Sequence, residues 1–167
     1  MTPLQKVAVG LGLVVLTAPL GGYDLVPDPV GWVFVLLGLR DLREPLADQL
    51  LPLVFAAGLA LAASLVVYPP VLDPSLSARY FLGLPQAAFL VLLCTAVARL
   101  AEGDDAKTHR RFRLLRGVFL GLLVAPVVVV GGGVEPLVVP LAVAVVVADV
   151  YLVYTLFRVS RRAYALP

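Results

Sequence analysis

The sequence predicts an all-α, polytopic membrane protein: six transmembrane helices in three in–out–in hairpins, forming a single domain over residues 1–167. Three observations carry this. Of the 167 residues 61% are hydrophobic and 14% charged, whereas a soluble domain is nearer half apolar and a quarter charged. The mean hydropathy is +1.01, and the apolar residues lie in long runs, not in amphipathic stripes. The positive charges gather in alternate connections between those runs, as the positive-inside rule requires of a multi-pass chain.

The first run, about Pro3–Gly21, follows a single early charge, Lys6. A signal peptide has a similar start, but here the run leads directly into a second apolar segment, and no small-residue cleavage site precedes a polar domain. It therefore reads as the first membrane helix. The second run, about Pro29–Arg43, is short. At 1.5 Å per residue it covers under about 24 Å, so it thins the bilayer or stops below its surface. The third to sixth runs, about Pro45–Tyr68, Pro74–Leu100, Phe112–Val130 and Pro136–Arg158, are near or above the length of a full span.

Charge sets the orientation. The connection before the fifth run holds Arg99, Lys107, Arg110, Arg111, Arg113 and Arg116; the C-terminus holds Arg158, Arg161 and Arg162. Arg40 and Arg43 lie between the second and third runs, and Lys6 lies at the start. Six crossings put all of these on one side, which the positive-inside rule makes cytoplasmic, with both termini. The opposite connections carry only Arg79. The absence of isoleucine and asparagine and the excess of arginine over lysine fit a GC-rich bacterial genome. The expected location is the bacterial plasma membrane.

The runs also show how they begin. Thr2-Pro3, Asp28-Pro29, Glu44-Pro45, Asp73-Pro74 and Glu135-Pro136 each put a polar or acidic residue before a proline. Proline suits the first helical position, and the residue before it can accept a bond from a free backbone N–H or complement the positive helix end. Asp28 and Asp73 are thus expected as structural caps. Gly21-Gly22 closes the first helix and Asp28-Pro29 opens the second, a tight hairpin that places Asp24 in the turn and Trp32 in the outer aromatic belt. Gly10, Gly12, Ala56, Ala57 and Gly58 offer small surfaces for close helix packing. A parallel repeat is a further reading. Tyr23, Asp28-Pro29 and Leu37-Gly38-Leu39 recur as Tyr68, Asp73-Pro74 and Leu82-Gly83-Leu84, all at a shift of 45 residues.

Three residues are candidates for binding or coupling: Asp149, Gln86 and Asp24. Asp149 lies nine positions before Arg158, roughly 13 Å from the inner boundary. A carboxylate in that position costs about 3 kcal/mol on insertion scales, and intramembrane ionisable groups are functional candidates by default. The competing reading is a hydrogen-bonded aspartate that ties helices together, with Tyr151, Tyr154, Thr95 and Arg99 as available partners. Gln86 follows Pro85, which is expected to kink the fourth helix, as Pro126 and Pro140 are in the last two. Asp24 would stand at the outer mouth.

Catalytic motifs are lacking. No phosphate-binding glycine loop, Gly-x-Ser-x-Gly or zincin histidine pair occurs. Cys94 is the sole cysteine and His109 the sole histidine, so neither a disulfide within the chain nor a histidine-based metal or haem site is expected. The pair Asp24 and Asp28 lacks the second acidic motif of magnesium-dependent lipid transferases. No cofactor, metal or nucleic-acid partner is expected; the basic His109 loop reads as the positive-inside signal.

The segment Tyr23–Leu42, with Asp24, Pro27, Asp28, Gly31 and Trp32 in an Asp-x-x-Pro-Asp-x-x-Gly-aromatic pattern, resembles small multi-pass membrane proteins of unassigned function common in actinobacteria. The resemblance covers about an eighth of the chain. It implies a membrane hairpin and no activity. The expected function is therefore a small transporter or its membrane subunit, binding a small solute or lipid among the helices in the lipid bilayer. The alternative is a non-catalytic scaffold or accessory subunit, within a homo-oligomer or a larger membrane complex, and the third and weakest reading is a metal-dependent lipid-modifying enzyme.

Overall fold

The computed structural model describes residues 1–16, 19–20, 23–24, 28–44, 46–67, 76–133 and 135–161. For residues 19–20, 23–24, 76, 77, 79, 130 and 135 it describes the backbone alone. Among the described residues the chain forms six α-helices: α1 (Pro3–Val15), α2 (Asp28–Asp41), α3 (Leu50–Val67), α4 (Leu76–Leu100), α5 (Ala106–Gly131) and α6 (Val138–Val159). A 3-10 turn, Glu135–Leu137, leads into α6. Between α1 and α2 lie two very short antiparallel strands, β1 (Pro19–Leu20) and β2 (Tyr23–Asp24), with Pro19 opposite Asp24 and Leu20 opposite Tyr23. The first connection is therefore a small β-ladder, not a bare helical turn, because α1 ends at Val15, well short of the predicted Gly21.

Helix starts follow local chemistry. Thr2 caps α1 in a reciprocal box: its hydroxyl accepts from the Gln5 N–H at 3.3 Å, and the Gln5 side chain accepts from the Thr2 N–H at 3.0 Å, with Pro3 in the first turn. α5 begins six residues before the predicted Phe112, since Asp105 caps it. The Asp105 carboxylate accepts from the Thr108 N–H at 3.1 Å and from the Thr108 hydroxyl at 2.7 Å. Asp28 is the first residue of α2, an acid in the first turn where the helix dipole favours it. Asp73 lies outside the described residues. Gly103 (φ 96°) turns the chain after α4, and Gly133 (φ 67°) turns it after α5.

Each helix packs on its neighbours in sequence, and α6 closes on α1. Glycine makes the first of these contacts unusually close. A Cβ on Gly10 would lie 2.5 Å from the Gly31 carbonyl oxygen, and one on Gly38 would lie 2.9 Å from that of Pro3. Gly31 and Gly38 are two turns apart on α2, so one face of α2 meets α1 backbone to backbone. An ion pair between Lys6 and Asp41 ties the basic ends of the same two helices. Gly58 and Gly83 have open space where a Cβ would sit. Gly38 and Gly83, matched in the 45-residue shift, thus have different surroundings.

The core runs through the middle of the ring. Trp32 of α2 is 1% exposed and meets the buried Phe89 of α4 edge to face, with ring centroids 5.3 Å apart and planes at 84°. This corrects the expectation of an interfacial Trp32: its position one turn into α2 turns it inward, toward α4. Pro85 and Pro126 lie inside α4 and α5, whereas Pro140 lies in the first turn of α6. Pro126 has no N–H for the Leu122 carbonyl, which loosens that turn. The adjacent Leu123 carbonyl accepts from the Tyr80 hydroxyl of α4 at 2.8 Å.

Four helical stretches are long and apolar enough to cross a membrane: Leu50–Val67, Tyr80–Leu100, Ala106–Val129 and Val138–Val159. The sequence predicts six. α1 and α2, with 13 and 14 residues, extend only about 20 Å each, against a hydrocarbon layer of about 30 Å.

Candidate functional site

α6 is rich in valine, and its inward stripe decides where Asp149 goes. Asp149, Leu152, Leu156 and Val159 are buried at helical spacing, while Val146, Val147, Val150, Tyr151 and Tyr154 are exposed. Asp149 is 6% exposed. It therefore faces the bundle, the orientation that intramembrane carboxylates adopt.

None of the four partners open to it in the sequence takes that role. Tyr151 and Tyr154 point outward. Arg99 is exposed near the basic end of α4. Thr95 donates its hydroxyl to the Val91 carbonyl of its own helix at 2.8 Å. Thr155, also on the inner stripe, likewise donates to its own helix, at the Tyr151 carbonyl. Among the described residues no donor reaches the buried Oδ1 of Asp149. An unpaired buried acceptor costs about 1–3 kcal/mol, and no direct side-chain bond from Asp149 to another helix is present among the described residues.

What Asp149 faces is a small cavity where α1, α4 and α6 meet. Leu11 and Val14 wall it from α1, Gln86 and Leu90 from α4, and Leu152 from α6. It has room for about one water molecule. Asp149 and Gln86 are the polar side chains on its walls. Cys94 of α4 is a buried free thiol.

Gln86 also lines a second, larger space. A groove of about 240 Å³ lies between α2, α3 and α4. Asp28, Ser64 and Gln86 supply its polar groups and Trp32 part of its wall. Asp28 and Trp32 are one turn apart on α2 and so share a face. Small side chains on α3, Ala60 and Ala63, leave the room. The groove opens toward the end of the bundle where α3 stops and α4 starts, opposite the arginine-rich end. Asp28 lies at that end, at the start of α2, while Gln86 and Asp149 lie deeper, about ten residues into α4 and eleven into α6.

The sequence-predicted residues thus divide. Asp149 and Gln86, on different helices, share one cavity. Asp24 lies in β2, and its side chain is outside what the structure describes. Asp28, expected as a cap, also lines the groove. Ser64 and Trp32 were not foreseen as site residues; the signal available was the small-residue spacing of Ala60, Ala63 and Ser64 on one helix face. His109 has a structural role: its Nδ1 lies 2.8 Å from the Ala98 carbonyl in the last turn of α4. A carbonyl only accepts, so Nδ1 carries the proton and satisfies a free helix-end group. Among the described residues, no three His, Cys, Asp or Glu side chains come together as metal ligands.

No protein-family model, curated protein or solved structure matches this chain.

Proposed function

We propose that the chain is an integral protein of the bacterial plasma membrane that binds and carries a small polar solute through its helix bundle, as a transporter or as the membrane subunit of one. The four long helices cross the bilayer. α1 and α2 cross as a hairpin where the bilayer thins to meet them, giving six crossings. The arginine-rich end is cytoplasmic, and both termini lie there. The solute enters the groove from the outside and hydrogen-bonds to Asp28, Ser64 and Gln86, and Asp149, which shares a cavity with Gln86, couples binding to a proton or water.

One observation carries this reading: Asp149 and Gln86 line a single cavity, and Asp149 Oδ1 has no donor there among the described residues. A buried acceptor with no protein donor calls for an explanation, and an intramembrane carboxylate is a functional candidate by default. At about 240 Å³ the groove lies just under the usual range of ligand pockets, about 300–1,000 Å³, which limits the solute to a small one.

Native mass spectrometry on protein extracted gently from its own membrane tests this. A small molecule at fixed stoichiometry, lost in Asp149→Asn and Gln86→Ala while both variants fold, is the expected result. The second reading, a scaffold within a larger membrane complex, is favoured by the broad exposed valine faces of α5 and α6, such as Val124, Val128, Val143 and Val147. It expects a stoichiometric protein partner instead, retained in Asp149→Asn.

A further inference from the structure

We infer that the groove between α2 and α3 at the arginine-rich end holds one anionic phospholipid, its phosphate against Arg40 and Arg43 and an acyl chain along Leu36, Leu50 and Val54. The groove measures about 570 Å³. Leu36 and Arg40 are one turn apart on α2, and Leu50 and Val54 are one turn apart on α3. Two guanidinium groups therefore stand at one end of an apolar slot, a two-part surface that matches the two parts of a phospholipid.

Among the described residues neither Arg40 nor Arg43 forms an ion pair, and the nearby Asp41 is taken by Lys6. Glu44 and Asp48, the other acids of this connection, are exposed and form none of the groove's walls. Arginine presents a planar fork that fits phosphate oxygens two at a time. On the apolar side Leu51 is 80% exposed, a surface that calls for hydrocarbon rather than water.

A second basic groove on the same end gives the internal comparison. It is lined by His109, Arg110, Arg113 and Leu114. It has as much charge but a single apolar wall residue, and its histidine already serves α4. That groove offers a headgroup nowhere to lay its chain. General attraction of the basic end for anionic lipid would treat both alike; a built lipid site would not.

The test uses the full chain in nanodiscs of phosphatidylcholine with a minor share of phosphatidylglycerol, released for native mass spectrometry. One phosphatidylglycerol per chain should survive release. Arg40→Gln with Arg43→Gln should lower its affinity by about 25-fold, taking about fivefold for each arginine near the surface. Arg110→Gln with Arg113→Gln should leave it unchanged. All four arginines belong to exposed or half-exposed positions, and circular dichroism confirms that both double variants fold. Equal loss in the two double variants, or retention of phosphatidylcholine as readily as phosphatidylglycerol, would overturn the site.

Discussion

Gly10 and Gly31 hold α1 and α2 in backbone contact: a methyl group on Gly10 would meet the Gly31 carbonyl oxygen at 2.5 Å, and one on Gly31 would meet that of Gly10 at 2.6 Å. Neither helix can yield without moving Val14 and Val35, which fill the same seam. Gly31→Ala should therefore destabilise the protein by about 1–3 kcal/mol, as overpacking does. Gly58→Ala, where nothing lies within 4 Å, should be neutral or stabilise by about 0.5–1 kcal/mol through helix propensity. Unfolding in mixed micelles on a denaturant series separates the two. Equal effects would mean that α1 and α2 do not touch at glycine.

Trp32 against Phe89 is the largest aromatic contact of the core. Trp32→Ala should cost about 3–5 kcal/mol, measured by the same unfolding series. An interfacial anchor would cost far less, so a loss below about 1 kcal/mol would return Trp32 to the membrane surface.

Polar ties should count for less than this packing. Tyr80→Phe removes the bond to the Leu123 carbonyl and should cost about 0.6 kcal/mol, the average for hydrogen bonds between membrane helices. Lys6→Gln breaks a half-exposed ion pair with Asp41 and should cost no more than about 1 kcal/mol, less at high salt.

Asp105 caps α5 through the Thr108 N–H and hydroxyl. Asp105→Ala should cost about 0.5–2 kcal/mol, and amide exchange at the start of α5 should quicken. Unchanged exchange from Ala106 to Arg110 would show that the helix starts later, near Phe112.

That last case shows where sequence reading works and where it stops. The six apolar runs lead to six helices because hydrophobic length is a local property. α5 began early because a helix does not end where its apolar run ends: the arginine-rich turns before Phe112 are helical, and the Asp105-x-x-Thr108 cap was the signal. The sequence does not place Trp32, because a residue's distance along a helix says nothing of which side faces the ring. Asp149 stood out as a carboxylate in valine, but its sharing of a cavity with Gln86 depends on how α4 and α6 are brought together, and no spacing in the chain encodes that. The close contact at Gly10 and Gly31 is legible only in part, since Gly12 and Gly58 look the same in sequence and meet nothing close.

The central claim is that Asp149 is kept for a ligand and not for the fold. The direct measurement is the unfolding free energy of Asp149→Leu and Asp149→Asn beside their binding of the co-purified small molecule. An acceptor left unsatisfied at a cost of about 1–3 kcal/mol predicts that Asp149→Leu is as stable as the parent or more so, and that both variants lose the molecule. Clear destabilisation in both variants, with binding retained, would contradict the account and make Asp149 a structural hydrogen-bonding residue.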